Sequence, residues 1–184
     1  MKKIFFLTIY FLFLIGCQPA LPEKYTIGVV ALHIPANMKI VEGNGTDSRV
    51  SYWINRHNDT FYVEYGAPNI IDNLFNPPPV VYDMKNIELP KRILGRIPAP
   101  DEALFSKTPK EDMEQNVFDQ NYYRYDTING IVAKIIQPKV IGKGMTGIYI
   151  YELKDKHALS IYAMDLDYKS NDEALGVFRT IKYK

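Results

Sequence analysis

Cys17 is the only cysteine among 184 residues, so any thiol chemistry in this chain must happen there. It follows Leu14-Ile15-Gly16, which ends an opening segment of two lysines (Lys2, Lys3) and an apolar run from Ile4 to Ile15 broken only by Thr8 and Tyr10. A basic start, a short apolar core and a small residue at the cut are the layout of a secretory signal. About a dozen apolar residues fall short of the roughly twenty that span a bilayer as a helix. The remaining candidates for chemistry are thinner. His33, His57 and His157 stand apart, with no His-x-His or HExxH spacing, so a histidine-built metal site is not expected. Ser48 or Ser51 with His57 and Asp47 has the residue types of a nucleophilic triad. Neither serine has a nucleophile elbow around it, and Asp47-Ser48 beside glycines is ordinary turn chemistry. Gly142-x-Gly144-x-x-Gly147 has dinucleotide-loop spacing, but an alternating, strand-like run follows where a helix should hold the pyrophosphate. Asp165 and Asp167 share a face, as a calcium pair would, yet the other oxygen ligands are missing nearby, and two solvated acids are expected. No cofactor or metal is expected.

The Leu14–Cys17 stretch resembles the lipobox of bacterial lipoproteins, with Leu three residues before the cut, Gly16 before it and Cys17 after it. That resemblance implies cleavage between Gly16 and Cys17, a diacylglyceryl thioether on Cys17, and usually a third chain such as palmitate on its amine. The implied partner is the lipid bilayer, reached through acylated Cys17; two or more acyl chains hold firmly where one is reversible. Residues 1–16 are then signal peptide and 17–24 a lipidated tether, extended by Pro19 and Pro22. Residues 25–184 form a single domain. Gln18 is not an aspartate-type retention cue, so outer-membrane sorting is favoured if the cell has two membranes.

Removing residues 1–16 from the 184 leaves 168, and the 22 basic residues lose two lysines to become 20 against 21 acidic ones. A near-neutral chain lacks the basic stripe that nucleic acid needs, so no nucleic-acid partner is expected. With Cys17 acylated the body has no disulfide or thiolate, and its stability must come from an ordinary hydrophobic core.

The pattern along the body is mainly β. Tyr25 to Ile34 is β-branched, apolar and stopped by Pro35, which predicts one buried strand. Met38 to Glu42 predicts a second. Arg49 to Asn55 alternates, with Tyr52 on one face and Trp53 on the other, and Thr60 to Tyr65 returns after the Asn58-Asp59 turn. Residues 66–115 carry Pro68, Pro77-Pro78-Pro79, Pro90, Pro98, Pro100 and Pro109 with no sustained period. They predict an excursion packed over the surface, with a short helix open at 70–75 or 101–105. Asn129-Gly130 between two β-rich runs is a strong hairpin signal. It opens a four-strand antiparallel meander over 116–166. Ser170 and Glu173 read as a capping box, ahead of Ala174, Val177, Phe178 and Ile181 at core-stripe spacing, with a terminal strand at 180–183. The fold class is α+β, a mainly antiparallel sheet with a C-terminal helix packed on it.

The opening strand ending in proline, the turn Gly45-Thr46-Asp47-Ser48, the return strand ending Glu64-Tyr65-Gly66, Ile128-Asn129-Gly130, and Glu173-Ala174 leading to Arg179-Thr180-Ile181-Lys182-Tyr183 together resemble PsbP/Mog1-type domains of exported proteins. The resemblance covers about 25–66 and 116–184 and implies an α/β/α sandwich without a shared active site.

Function narrows to two classes, with a purely structural envelope protein as a third reading that needs neither a binding face nor an acid pocket. The first is a non-catalytic binding or assembly module of the cell envelope, with Trp53, Tyr122, Tyr149 and Tyr151 as the surface for an envelope protein or glycan, since Tyr and Trp suit interfaces. The second is a lipid-anchored enzyme using Asp101, Glu102, Glu111 or Asp112 of the Pro-rich excursion, where convergent acids in a pocket would be required.

Overall fold

The computed structural model describes residues 22–75, 80–86, 88–96 and 104–184. Gly16, Cys17, Asp101 and Glu102 lie outside the described residues.

The first expectation to change is the opening strand. Gly28 takes φ +52° and breaks it into a hairpin of β1 (Glu23–Ile27) and β2 (Val30–Ile34), with Ile27 opposite Val30. Only glycine fits there: an added Cβ would lie 1.7 Å from Cζ of Tyr65. This hairpin and the terminal β12 (Lys182–Tyr183) form a small sheet in the order β1-β2-β12.

The large sheet has seven antiparallel strands, in the order β3-β4-β5-β11-β10-β9-β8. They are β3 (Lys39–Glu42), β4 (Ser48–Ile54), β5 (Thr60–Gly66), β8 (Asn121–Ile128), β9 (Ile131–Pro138), β10 (Met145–Ile150) and β11 (Ala158–Met164). The β8–β9 turn is Asn129-Gly130, both at positive φ (49° and 81°), as a two-residue type I′ hairpin requires. β8 to β11 form the expected meander, and β11 then pairs with β5 to join it to the N-terminal strands.

The helix begins earlier than the capping box predicts. Asp167, not Ser170, is the N-cap, its carboxylate accepting the Ser170 N–H at 2.7 Å. The helix runs Tyr168–Arg179, and Ser170 is buried in its first turn, where Asn55 Nδ2 donates to its hydroxyl at 3.3 Å. Thr146 ties the same turn to β10 through Asn171, at 2.7 Å. Asp165 likewise serves the fold, since at φ +54° its carboxylate accepts the Gly144 N–H at 2.7 Å.

Strand alternation divides the large sheet into two faces. Its inner face presents Trp53, Phe61, Val63, Ala133, Ile135, Ile148, Leu159 and Ile161. These pack against Ile27, Val30 and Leu32 of the small sheet and Ala174, Val177 and Phe178 of the C-terminal helix. The other face carries a smaller core of Ile136, Met145, Tyr149 and Ala158 under Ile71 and Leu74. Ile71 and Leu74 of the Pro-rich stretch therefore lie over this outer face, and 70–75 is not helical. Farther along the excursion, β6 (Val81–Asp83) pairs in parallel with β7 (Leu104–Ser106); α1 (Glu88–Leu94) comes between them in sequence, and α2 (Pro109–Glu114) packs on both. The C-terminal helix is α3. Residues 101–103 of the second helix considered lie outside the described residues, and Leu104 and Phe105 are strand.

Candidate functional site

Cross-strand register places tyrosines in rows on the outer face. One row runs Tyr123, Ile136, Gly147, Tyr162, Tyr62, Tyr52, Val41 across the whole sheet. Tyr62 and Tyr162 stack at 5.2 Å with planes 15° apart, and Tyr52 meets Tyr62 edge-on at 5.5 Å. Offset-stacked and edge-on pairs are the favoured aromatic arrangements. The gap at Gly147 is filled from above by Leu74, whose Cδ1 would be 2.9 Å from an added Cβ. Leu74 thus divides the face into an open tyrosine shelf and a groove.

The groove belongs to the next row, Tyr125, Lys134, Tyr149, Ser160, Glu64, Val50. It has a volume of about 430 Å³ and is lined by Pro68, Asn73, Tyr125, Val132, Lys134, Tyr149 and Tyr151. Tyr149 forms its buried floor, while Tyr125 (77% exposed) and Tyr151 (65% exposed) stand at its sides. Lys134 Nζ lies 5.2 Å from the Tyr149 ring centre and donates to the Asn73 carbonyl. Burial lowers the Lys134 pKa, with Asp72 opposing. Burial also raises Tyr149, assisted by Tyr151 and Asp72. The groove therefore offers flat aromatic rings beside one ammonium donor, with the Tyr149 phenol of its floor held protonated.

The surface expected from Trp53, Tyr122, Tyr149 and Tyr151 is not one surface. Trp53 is 1% exposed on the inner face, with Tyr25 against its ring at 5.0 Å, and it belongs to the core. Tyr122 is exposed, but it alternates to the side of β8 opposite Tyr123 and Tyr125, with Lys139 Nζ 5.5 Å from its ring. Tyr149 and Tyr151 do come together in the groove. Sequence reasoning missed Lys134, Asn73 and Pro68, and did not assign Tyr52 and Tyr62 to the face. The signal for those tyrosines was present: each alternates with a core aromatic, Trp53 or Phe61, across one hairpin.

The acids of the enzyme reading do not converge among the described residues. Asp112 accepts from the Ser106 hydroxyl, which ties α2 to β7, while Glu111 is exposed. Ser48 opens β4 and His57 lies in the turn beyond its other end at Ile54, with about 20 Å of strand between them. The glycines at 142 and 144 (φ +83° and +114°) lead into strand β10, not a helix. One further cluster sits at the rim of the inner face. The Tyr65 hydroxyl donates to Asp155, whose carboxylate also lies 3.2 Å from His157 Nδ1, and the His157 ring stacks on Tyr65 at 5.1 Å. Burial and then the Asp155 bond push Tyr65 up to about 12, the reverse of what a nucleophile or base needs, so this cluster is a clamp.

No protein-family model and no curated protein matches the chain. Among solved structures it is similar to the solution structure of cyanobacterial PsbP (CyanoP) from Synechocystis sp. PCC 6803. The identity is 8% and the TM-score 0.45, over 92% of this chain and 96% of that one. No residue role carries over at that identity.

Proposed function

We propose that the protein is an exported bacterial lipoprotein, anchored through acylated Cys17, whose outer-face groove binds a glycan of the cell envelope without chemically changing it. The observation that carries this reading is the groove itself: Tyr125, Tyr149 and Tyr151 around Lys134 and Asn73. Sugar rings present C–H faces that lie flat on aromatic rings, and hydroxyls that pair with amide and ammonium groups. About 430 Å³ is within the range of small-ligand sites. Cleavage of a glycosidic bond ordinarily takes two carboxyl groups flanking it, and the groove lining supplies none. The anchor rests on the sequence of residues 1–17, with the outer membrane favoured where two membranes exist.

Two experiments test the two halves. Cys17→Ser should abolish fatty-acid labelling and release the protein from membranes; continued labelling refutes the anchor. Titrating the full-length protein with soluble wall-glycan fragments should give saturable binding, weakened about tenfold or more by Tyr151→Ala or Lys134→Ala, as loss of a central contact does. Absence of glycan binding, with an envelope protein photo-crosslinked at position 151 instead, would move the role to protein assembly.

A further inference from the structure

The two edges of the large sheet are built differently. β3, at one edge, has four residues and begins and ends on charges, Lys39 and Glu42. Short, charged strands are how soluble proteins blunt an edge. β8, at the other, has eight residues (NYYRYDTI), with no proline or lysine and five of the eight exposed. Among the described residues no strand lies beyond it.

Which of its backbone groups are free follows from the hairpin. A two-residue turn closes on a hydrogen-bonded pair, here Ile128 and Ile131, and such pairs alternate along the ladder. Ile128, Asp126, Arg124 and Tyr122 therefore bond to β9, whereas Thr127, Tyr125 and Tyr123 turn their N–H and C=O groups outward. The Thr127 N–H agrees: its partner is the Asp126 carboxylate, at 2.7 Å, rather than a strand.

We propose that β8 pairs antiparallel with β8 of a second copy, about a two-fold axis at Tyr125. The occupant is specified by charge. With Tyr125 opposite itself, Arg124 faces the partner's Asp126 and Asp126 faces the partner's Arg124, while Tyr123 faces the partner's Thr127. Moving the axis by one residue either way places Arg124 against Arg124 or Asp126 against Asp126, which like-charge repulsion disfavours. The same axis brings the outward groups of Tyr123, Tyr125 and Thr127 into register, for about six main-chain hydrogen bonds. Arg124 and Asp126 then occupy the non-hydrogen-bonded positions, where side chains approach most closely. Among the described residues Arg124 has no ion-pair partner of its own. On pairing, Asp126 exchanges its own Thr127 N–H for the partner's guanidinium. The interface is isologous and closes at two subunits. Because Tyr125 also stands beside the groove, the dimer sets two grooves side by side on one continuous outer face.

The test uses the full-length protein and is independent of any ligand. Tyr125→Cys places two thiols across the axis with Cα atoms about 5.5 Å apart, within disulfide reach. Mild oxidation in membranes should give a covalent dimer with Tyr125→Cys, and not with Val132→Cys on the same exposed face or with the parent chain. Arg124→Asp should weaken dimerisation at least tenfold by sedimentation in density-matched detergent, and adding Asp126→Arg should restore it. Tyr125→Pro removes an outward N–H without taking a bond from β9 and should give monomer. A monomer at every concentration, a dimer indifferent to Arg124→Asp, or equal crosslinking at 125 and 132 would overturn the proposal. So would a different protein captured at Tyr125→Cys in place of the second copy.

Discussion

The two faces of the seven-stranded sheet come from the same strands, residue by alternate residue, yet they are furnished for different ends. The inner face is apolar and closely covered: Val63, Ile148 and Ile161 are each 0% exposed beneath α3 and the β1–β2 hairpin. The outer face holds tyrosines, with Tyr62 40% exposed and Tyr151 65% exposed, and one loop residue, Leu74, plugs its middle. Burying an aliphatic side chain contributes about 1.5–3 kcal/mol. A tyrosine that ends half in water contributes less to folding and keeps a ring and a hydroxyl available for contact. The inner face holds the fold together, and the outer face presents it.

If so, damage to the inner face should cost stability and damage to the outer face should cost binding. The largest effect is expected for Phe178→Ala, which empties a 1%-exposed site between α3 and the sheet. It should lose about 3–5 kcal/mol in denaturant unfolding. Leu74→Ala should lose about 2 kcal/mol, the low end for a buried leucine, because a loop can settle into the gap over Gly147. It should also merge the groove with the tyrosine shelf.

A pH effect separates the rim of the inner face from both. Tyr65 is raised to about 12 in the folded protein, above its ordinary value near 10. Between those values the unfolded chain has lost the proton and the folded chain keeps it. The stability linked to this proton, held by burial first and then by the Asp155 bond, is thus complete below about pH 10 and declines as pH rises toward 12, by up to about 1.4 kcal/mol per pH unit. Tyr65→Phe should remove that alkaline slope. At the acid end, burial pushes Asp155 up, but the bonds from Tyr65 and His157 together hold it below the usual carboxylate range. Its share of stability is accordingly present above pH 4 and lost as pH falls through the lowered value. The smallest change in stability, about 0.5–1.5 kcal/mol, is expected for Tyr62→Ala, which breaks surface ring contacts with Tyr162 and Tyr52 and empties no buried site.

Much of this division was legible before any coordinates. The alternation of Tyr52 with Trp53, the Asn129-Gly130 turn and the spacing of Ala174, Val177 and Phe178 give the strands, a hairpin and the helix face directly. The split at Gly28 was hidden because one glycine in a β-branched run looks like strand until Tyr65, far away in sequence, occupies its Cβ space. The helix start was misplaced because Asp167 and Ser170 are both good caps, and it is the burial of Ser170 beside Asn55 that selects Asp167. Tyrosine content pointed to a contact face but not to its composition. Which side of a strand a tyrosine takes depends on register, and that parity sends Trp53 into the core and Tyr122 away from the groove. Leu74 and Asn73 reach the site from a Pro-rich stretch with no period to read.

The most direct measurement is an NMR titration of the full-length protein, in detergent, with soluble wall-glycan fragments, following the ring signals of Tyr125, Tyr149 and Tyr151. Saturable shifts confined to those rings and to Lys134, lost in Lys134→Ala while the unfolding midpoint stays put, are the predicted result. Shifts elsewhere on the protein, or none at millimolar glycan, would contradict the assignment of the outer face to glycan binding.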